Sequence, residues 1–335
     1  MTVFSDVRVF DGDRFFDGTH DVRVEDGRVA NVVLAKEPLD GSRVPAQERI
    51  GGVLFPGFVD AHVHLSFSDP IDVARGGVTT VLDFGAPSDY ALAPHPPLRF
   101  RYAGTLLTVP GGYPTRSWGA GGYGTELSSA EQARDAVARW ADAGASIIKV
   151  ALEPSEGPML SEDLVRVIVD TAHERDLRVG AHALEAGPVR IAVDCGVDLL
   201  AHTPTAKLDD ELIEACGSRR MWVVSTVRAF GGSRRTKRNL GALHEAGCRV
   251  AYGTDLGNGA IRPGIDIDEL DILAYITGGN EAALACACAR AGDLVGGGGR
   301  IAVGEPADLV WLPSFERLSD LAGSKEVYID GKLVT

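Results

Sequence analysis

Residues 54–64 read Leu54-Phe55-Pro56-Gly57-Phe58-Val59-Asp60-Ala61-His62-Val63-His64. After the Pro-Gly step the run has the two-residue side-chain period of a strand. Asp60, His62 and His64 fall on one face, and Val59, Ala61 and Val63 on the other. Two imidazoles on one face near the carboxyl end of a strand can chelate a cation. Two histidines on a strand can equally be hydrogen-bonded core residues, so the rest of the chain has to decide.

From about Gly57 onward, short apolar runs alternate with helical segments, the pattern of βα units around a parallel sheet. The candidate strands are 58–67, 78–84, 102–109, 146–152, 178–184, 198–203, 221–227 and 249–255. Eight such strands close a (β/α)8 barrel. Ser161, with Glu162 and Asp163 behind it, reads as the N-cap of a helix with Leu164, Val165, Ile168 and Ala172 on its apolar face. Ser128–Ala143 reads as another helix, stopped at Gly144.

The two ends have a different character. Residues 1–50 alternate as strands with turns at Asp11-Gly12, Asp17-Gly18 and Asp26-Gly27. Asp308–Leu312 and Glu326–Val334 add strands around Asp330-Gly331. The expected fold class is α/β: a (β/α)8 TIM-type barrel over residues 56–300, with a small β-sandwich built from both chain termini, residues 1–55 and 301–335.

The 335 residues are 45% apolar and 24% charged, ordinary for a globular chain with a large core. A net charge of −14 lacks the basic footprint that nucleic acid or an anionic membrane needs. The expected partner is a small-molecule substrate, with room left for a homo-oligomer. Met1–Phe10 has neither a basic nor an apolar leader region, and no apolar run approaches a membrane span, so a cytoplasmic protein is expected. Cys195, Cys216, Cys248, Cys286 and Cys288 form no CxxC pair and are expected to be reduced and structural.

His182 ends the fifth candidate strand, His202 the sixth and Asp255 the eighth. At those positions in a barrel, side chains converge on the active site. Four imidazoles and a carboxylate suit zinc or a related divalent metal. His20, His95, His173 and His244 fall in turns, loops or helix surfaces and receive no role. Lys149 interrupts the apolar run Ile147-Ile148-Lys149-Val150-Ala151. An unpaired ammonium is costly there. It requires an ion pair with Asp83 or Asp60, or modification by carbon dioxide to a carbamate that bridges two metals. The Gly-rich segment Pro110–Leu127 follows the third strand, where βα loops build barrel sites. Its Tyr113, Arg116 and Trp118 are candidate substrate contacts, unless the segment is simply a surface loop.

Taken together, these residues resemble the amidohydrolase superfamily. The likeness opens on Leu54–His64 and runs through Gly77-Val78-Thr79-Thr80-Val81-Leu82-Asp83, Ile148-Lys149-Val150, His182, His202 and Gly253-Thr254-Asp255. It closes on Gly304-Glu305-Pro306-Ala307-Asp308-Leu309-Val310. The fourth-strand lysine and the loop after it look like the prolidase-like and imidazolonepropionase-related branch. That resemblance implies His62, His64 and Asp255 on one metal and His182 and His202 on a second, with carboxylated Lys149 bridging. Zinc is the first expectation, and manganese or iron also fits. It further implies a metal-dependent hydrolase acting on carbon–nitrogen bonds other than ordinary peptide bonds. A metal-bridging hydroxide would cleave a C–N or C–O bond of a small amide, lactam, lactone or dipeptide-like substrate, with Asp255 as general acid/base.

Two other readings stay open. His182-Ala183-Leu184-Glu185 has the HxxE spacing of mononuclear aminohydrolases (deaminases) in the same superfamily, where Glu185 would shuttle protons and Lys149 would be structural. A non-catalytic metal-binding scaffold is the third reading.

Overall fold

The alternation of apolar strand and amphipathic helix produces two parallel sheets joined edge to edge, in a computed structural model that describes residues 1–35, 47–259 and 261–335. Phe58–Val63, Val78–Asp83 and Arg99–Tyr102 form one sheet. Leu106–Thr108, Ile147–Ala151, Arg178–His182, Leu199–Leu200, Trp222–Val224 and Arg249–Ala251 run side by side in the other, with Gly124–Glu126 outside Leu106–Thr108. Main-chain bonds join the two. Ser146 N–H donates to Tyr102 O at 2.9 Å on one side. On the other, Ala61 N–H donates to Tyr252 O (3.1 Å), Asp255 N–H to His62 O (2.8 Å) and His64 N–H to Leu256 O (2.7 Å). The result is a TIM-barrel-like α/β fold, with the carboxyl ends of the strands on one side.

The strands end earlier than expected, the sixth running only Leu199–Leu200 and the eighth Arg249–Ala251, and two also differ in path. The first stops at Val63, and Leu65–Phe67 forms a 3-10 turn instead of continuing it. The third is broken into Arg99–Tyr102 and Leu106–Thr108. Gly104 lies between them at φ 81°, and a Cβ on it would stand 2.3 Å from the Trp140 ring. The chain can turn there only because glycine leaves that space to the indole.

The helices follow their caps. Ser161 Oγ accepts from Leu164 N–H at 3.3 Å and starts Glu162–His173, which buries Val165, Ile168, Val169 and Ala172. Ser129 Oγ accepts from Gln132 N–H at 3.2 Å and starts Ala130–Asp142, and Gly144 follows at φ 87°. An aliphatic side chain buried on such a face contributes about 1.5–3 kcal/mol.

Both termini share one sheet. Its order is Lys332–Leu333, Glu326–Ile329, Leu309–Leu312, Val53–Pro56, Thr2–Val9, His20–Glu25 and Arg28–Leu34, with Gln47–Ile50 also on Thr2–Val9. Residues 36–46 of the amino-terminal segment lie outside the described residues. Asp26-Gly27 and Asp330-Gly331 make two-residue hairpins, each with both residues at positive φ. Asp11-Gly12 does not: Asp11 Oδ1 accepts from Asp13 and Arg14 N–H in a wider turn. Val53–Pro56 pairs antiparallel with Leu309–Leu312, so the segment leading into Phe58–Val63 is anchored by the far end of the chain. The cysteines are free and buried, as expected. Among the described residues no single helix is long and apolar enough to cross a membrane.

Candidate metal centre

Strand periodicity carries His62 to the inner face of Phe58–Val63, with His64 just beyond its end. His182 is the last residue of Arg178–His182, His202 lies two residues past Leu199–Leu200, and Asp255 lies four past Arg249–Ala251. All five are buried. His62, His202 and Asp255 bring one ligand atom each to within 4.8 Å of one another. The His182 and His202 rings lie 4.8 Å apart.

The hydrogen-bond partners fix how the first two rings are protonated. His62 Nδ1 lies 2.8 Å from Ala201 O, and His64 Nδ1 lies 2.8 Å from Gly85 O. A carbonyl only accepts, so each Nδ1 carries a hydrogen, and Nε2 is the nitrogen each ring turns inward. Burial holds His62 well below the ordinary histidine range, with the nearby Lys149 charge adding to the effect. Both Nε2 atoms face Asp255 Oδ1, at 3.3 Å from His62 and 3.5 Å from His64. His62 Nε2 has no hydrogen-bond partner. Two imidazole nitrogens and a carboxylate oxygen converge on one point, the arrangement of a cation's ligands. The donor set therefore fits a divalent metal, and the backbone carbonyls play the outer role that orients metal-bound histidines.

Asp60 is not a partner of Lys149. Its Oδ1 accepts from His62 N–H (3.1 Å) and Thr254 N–H (3.0 Å), and its Oδ2 from Thr254 Oγ1 (2.5 Å), clipping the first strand to the turn before Asp255. Burial raises its carboxyl to about 7. Asp83 is also engaged, accepting from Leu65 N–H (2.7 Å) and Gly85 N–H (2.9 Å). The expected ion pair with either acid is therefore absent. Lys149 is 1% exposed, and its Nζ sits 4.6 Å from the centroid of Phe84. Burial lowers its amine to about 7.

His64, Lys149, His182, His202 and Asp255 floor a cavity of about 530 Å³, which also carries Phe67, Leu106, Tyr113, Trp118, Glu153 and Phe230 among its walls. Tyr113 and Trp118 line it. Trp118 Nε1 donates to Tyr113 Oη at 2.8 Å, the Tyr113 ring lies 4.6 Å from His182, and Trp118 lies 4.8 Å from His64. Arg116 does not belong to the cavity. It is exposed, and its guanidinium lies against Gly111. Glu185 is a second correction: it stands exposed at the start of Ala186–Asp194 and outside the cavity lining, so the proton shuttle of the aminohydrolase reading is missing from the site.

Three contributors escape a reading of the sequence. Glu153 Oε2 lies 3.3 Å from His182 Nε2, and that contact holds the Glu153 carboxyl down at about 2. Thr226 Oγ1 lies 3.1 Å from His202 Nδ1, with the threonine at φ 40°. A β-branched residue rarely adopts that conformation, so it is strain held by the surrounding structure. Asn258 Nδ2 donates to Asp255 Oδ2 at 2.9 Å, leaving Oδ1 to face the imidazoles.

Comparison with known proteins supplies an independent view. Residues 53–334 match the family model described as Amidohydrolase family. The chain is similar to an uncharacterised protein of Mycobacterium bovis (strain ATCC BAA-935 / AF2122/97), 27% identical over 305 residues that span 79% of this chain and 78% of the relative. Among solved structures it resembles a Xaa-Pro dipeptidase with bound methionine in the active site, at 18% identity, 99% coverage of both chains and a TM-score of 0.83. It also resembles a prolidase complexed with N-methylphosphonate-L-proline, at 24% identity, covering 99% of this chain and 98% of that one, with a TM-score of 0.81. At these identities the two structures speak to the fold.

Proposed function

We propose, from the premise that this chain belongs to the amidohydrolase family and is a metal-dependent hydrolase, that it cleaves a C–N or C–O bond in a small amide, lactam, lactone or dipeptide-like molecule. One observation carries the reading: His62 and His64 both aim Nε2 at the same Asp255 oxygen, 3.3 and 3.5 Å away. In this reading His62, His64 and Asp255 hold one divalent cation, and His182 and His202 a second. Lys149 joins them as its carbamate. Its buried amine, free of its proton near neutrality, adds to the carbon of carbon dioxide and loses a proton to become that ligand. Two cations, zinc first among the candidates, supply Lewis-acid polarisation of the substrate and a water of lowered pKa.

The chain's own residues do the rest. Asp255 takes the proton of the attacking water as the new C–O bond forms, and returns it to the leaving nitrogen or oxygen as the old bond breaks. Asn258 steadies the carboxylate from its far oxygen. Tyr113 and Trp118, tied to each other by their hydrogen bond, form a wall that restricts water and orients the substrate. The same reading treats the strands as a closed (β/α)8 barrel of residues 56–300, and the terminal sheet as a small β-sandwich of residues 1–55 and 301–335.

The test is metal content measured by elemental analysis, with isotope-labelled bicarbonate followed by carbon NMR for Lys149. Two zinc ions per chain and a labelled carbamate that disappears in Lys149→Met are expected, together with hydrolysis of at least one member of an amide, lactam and ester panel. One metal per chain and an unmodified lysine refute the two-metal form. A metal-loaded protein inert across the whole panel refutes the hydrolase.

A further inference from the structure

The substrate side of the cavity has a sign and a texture that the metal reading does not use. Once the six proposed ligands are set aside, the ionisable carboxyls and amines left in its lining are Glu153 and Glu156, both acids. Glu153 is buried beside His182, its Oε2 3.3 Å from Nε2 of that ring. Glu156 ends the short turn Pro154–Glu156 and is exposed at the mouth. The arginines carried by the nearby loops point elsewhere. Arg228 pairs with Asp266, and with Asp268 at 3.4 Å. Arg116 is exposed against Gly111, and Arg262 is exposed outside the lining. Among the described residues, no guanidinium lines the cavity.

The apolar part is equally specific. Phe67, Tyr113, Trp118 and Phe230 line the cavity. Phe67, Tyr113 and Trp118 are held as a cluster: Trp118 contacts Tyr123 at 5.2 Å, Phe67 stacks on Tyr123 at 5.6 Å, and Tyr123 Oη meets Ser66 Oγ at 2.7 Å. Aromatic faces beside carboxylates are the chemistry that recognises a cation with an apolar body. A carboxylate brought to the mouth beside Glu156 meets like charge with no guanidinium in return.

We propose that this site selects small amides with an apolar or aromatic body and a cationic or neutral far end, and discriminates against substrates ending in a free carboxylate. The inference rests on the hydrolase reading for the word amide. The recognition itself is a property of the walls and can be measured without turnover.

The experiment uses the metal-loaded full chain and three probes of one shape: benzyltrimethylammonium, benzyl alcohol and phenylmethanesulfonate. Binding is read by calorimetry, with tryptophan fluorescence as a second signal. The cation should bind about tenfold more tightly than the sulfonate or better, with the alcohol between them. Glu156→Gln should narrow the cation–anion gap about threefold, and Trp118→Leu should weaken the cation most. Equal binding, preference for the sulfonate, or no binding by any probe overturns the proposal, as does a gap untouched by both variants. Matched benzyl amides bearing the same three end groups then separate the two ideas. The binding order without any turnover refutes the hydrolase alone, whereas turnover that favours the anionic amide refutes the recognition alone.

Discussion

Replacing Lys149 by methionine should stabilise the metal-free protein, and by an amount that depends on pH. Burial moves the lysine from its ordinary 10.5 to about 7. The unfolded chain thus keeps this proton up to about 10.5, while the folded chain releases it near 7. Between those values the unfolded state binds more protons, so wild-type stability rises with pH across that window. Below about 7 both states hold the proton, and the full cost of burying the ammonium is present. At about 1.4 kcal/mol per unit, a shift of roughly three and a half units amounts to about 5 kcal/mol. The contact with Phe84 is part of the wild-type balance and is lost in the variant, offsetting about 1–2 kcal/mol. The methionine variant should therefore exceed wild type by about 3–4 kcal/mol near pH 6, a gain that falls away towards pH 10. The assay is urea unfolding of chelator-treated protein in carbonate-free buffer, comparing midpoints at constant slope near pH 6 and pH 9.5. Equal midpoints at both values, or a gain that does not depend on pH, would refute the reasoning. Zinc and bicarbonate should reverse the order, because only wild type can then form its carbamate ligand.

Glu153→Gln should weaken zinc binding about 10–100-fold in a chelator competition, by releasing the ring orientation of His182; an unchanged affinity means that the carboxylate does not position that ring. Glu185→Gln should leave kcat/KM within about twofold, since the side chain is exposed away from the cavity; a loss of about a hundredfold would restore the aminohydrolase reading. Thr226→Val keeps the branched shape at φ 40° but removes the hydroxyl facing His202 Nδ1, and should cost about 1–3 kcal/mol of apo-protein stability. If the two proteins melt together, the hydroxyl is not what holds the ring.

The features that could be read in advance are those with a period or a local conflict. His62 and His64 stand out because alternation places them on one face, and Lys149 because a charge breaks an apolar strand that ends up 1% exposed at that residue. The break in the third strand is not among them, since Gly104 sits inside a run that reads as one continuous strand and only the Trp140 ring shows why glycine is needed there. Glu153 has no such mark. In Leu152-Glu153-Pro154-Ser155 it reads as the start of a solvated loop, and only the position of His182 on the neighbouring strand turns it inward. Thr226 is more hidden still, because its local preference opposes the φ of 40° it adopts. Its neighbours impose that conformation: Thr226 N–H donates to Gly253 O at 3.0 Å, and Glu269 accepts from the next two amides, Val227 and Arg228, at 2.9 Å each. The buried Glu269 thus sets the path of the chain from Thr226, beside His202, to Phe230 in the cavity wall. A carboxylate on the helix Ile267–Thr277 couples the outer layer of the fold to the ring nitrogen of a metal ligand, which is a relation between distant segments that no local pattern encodes.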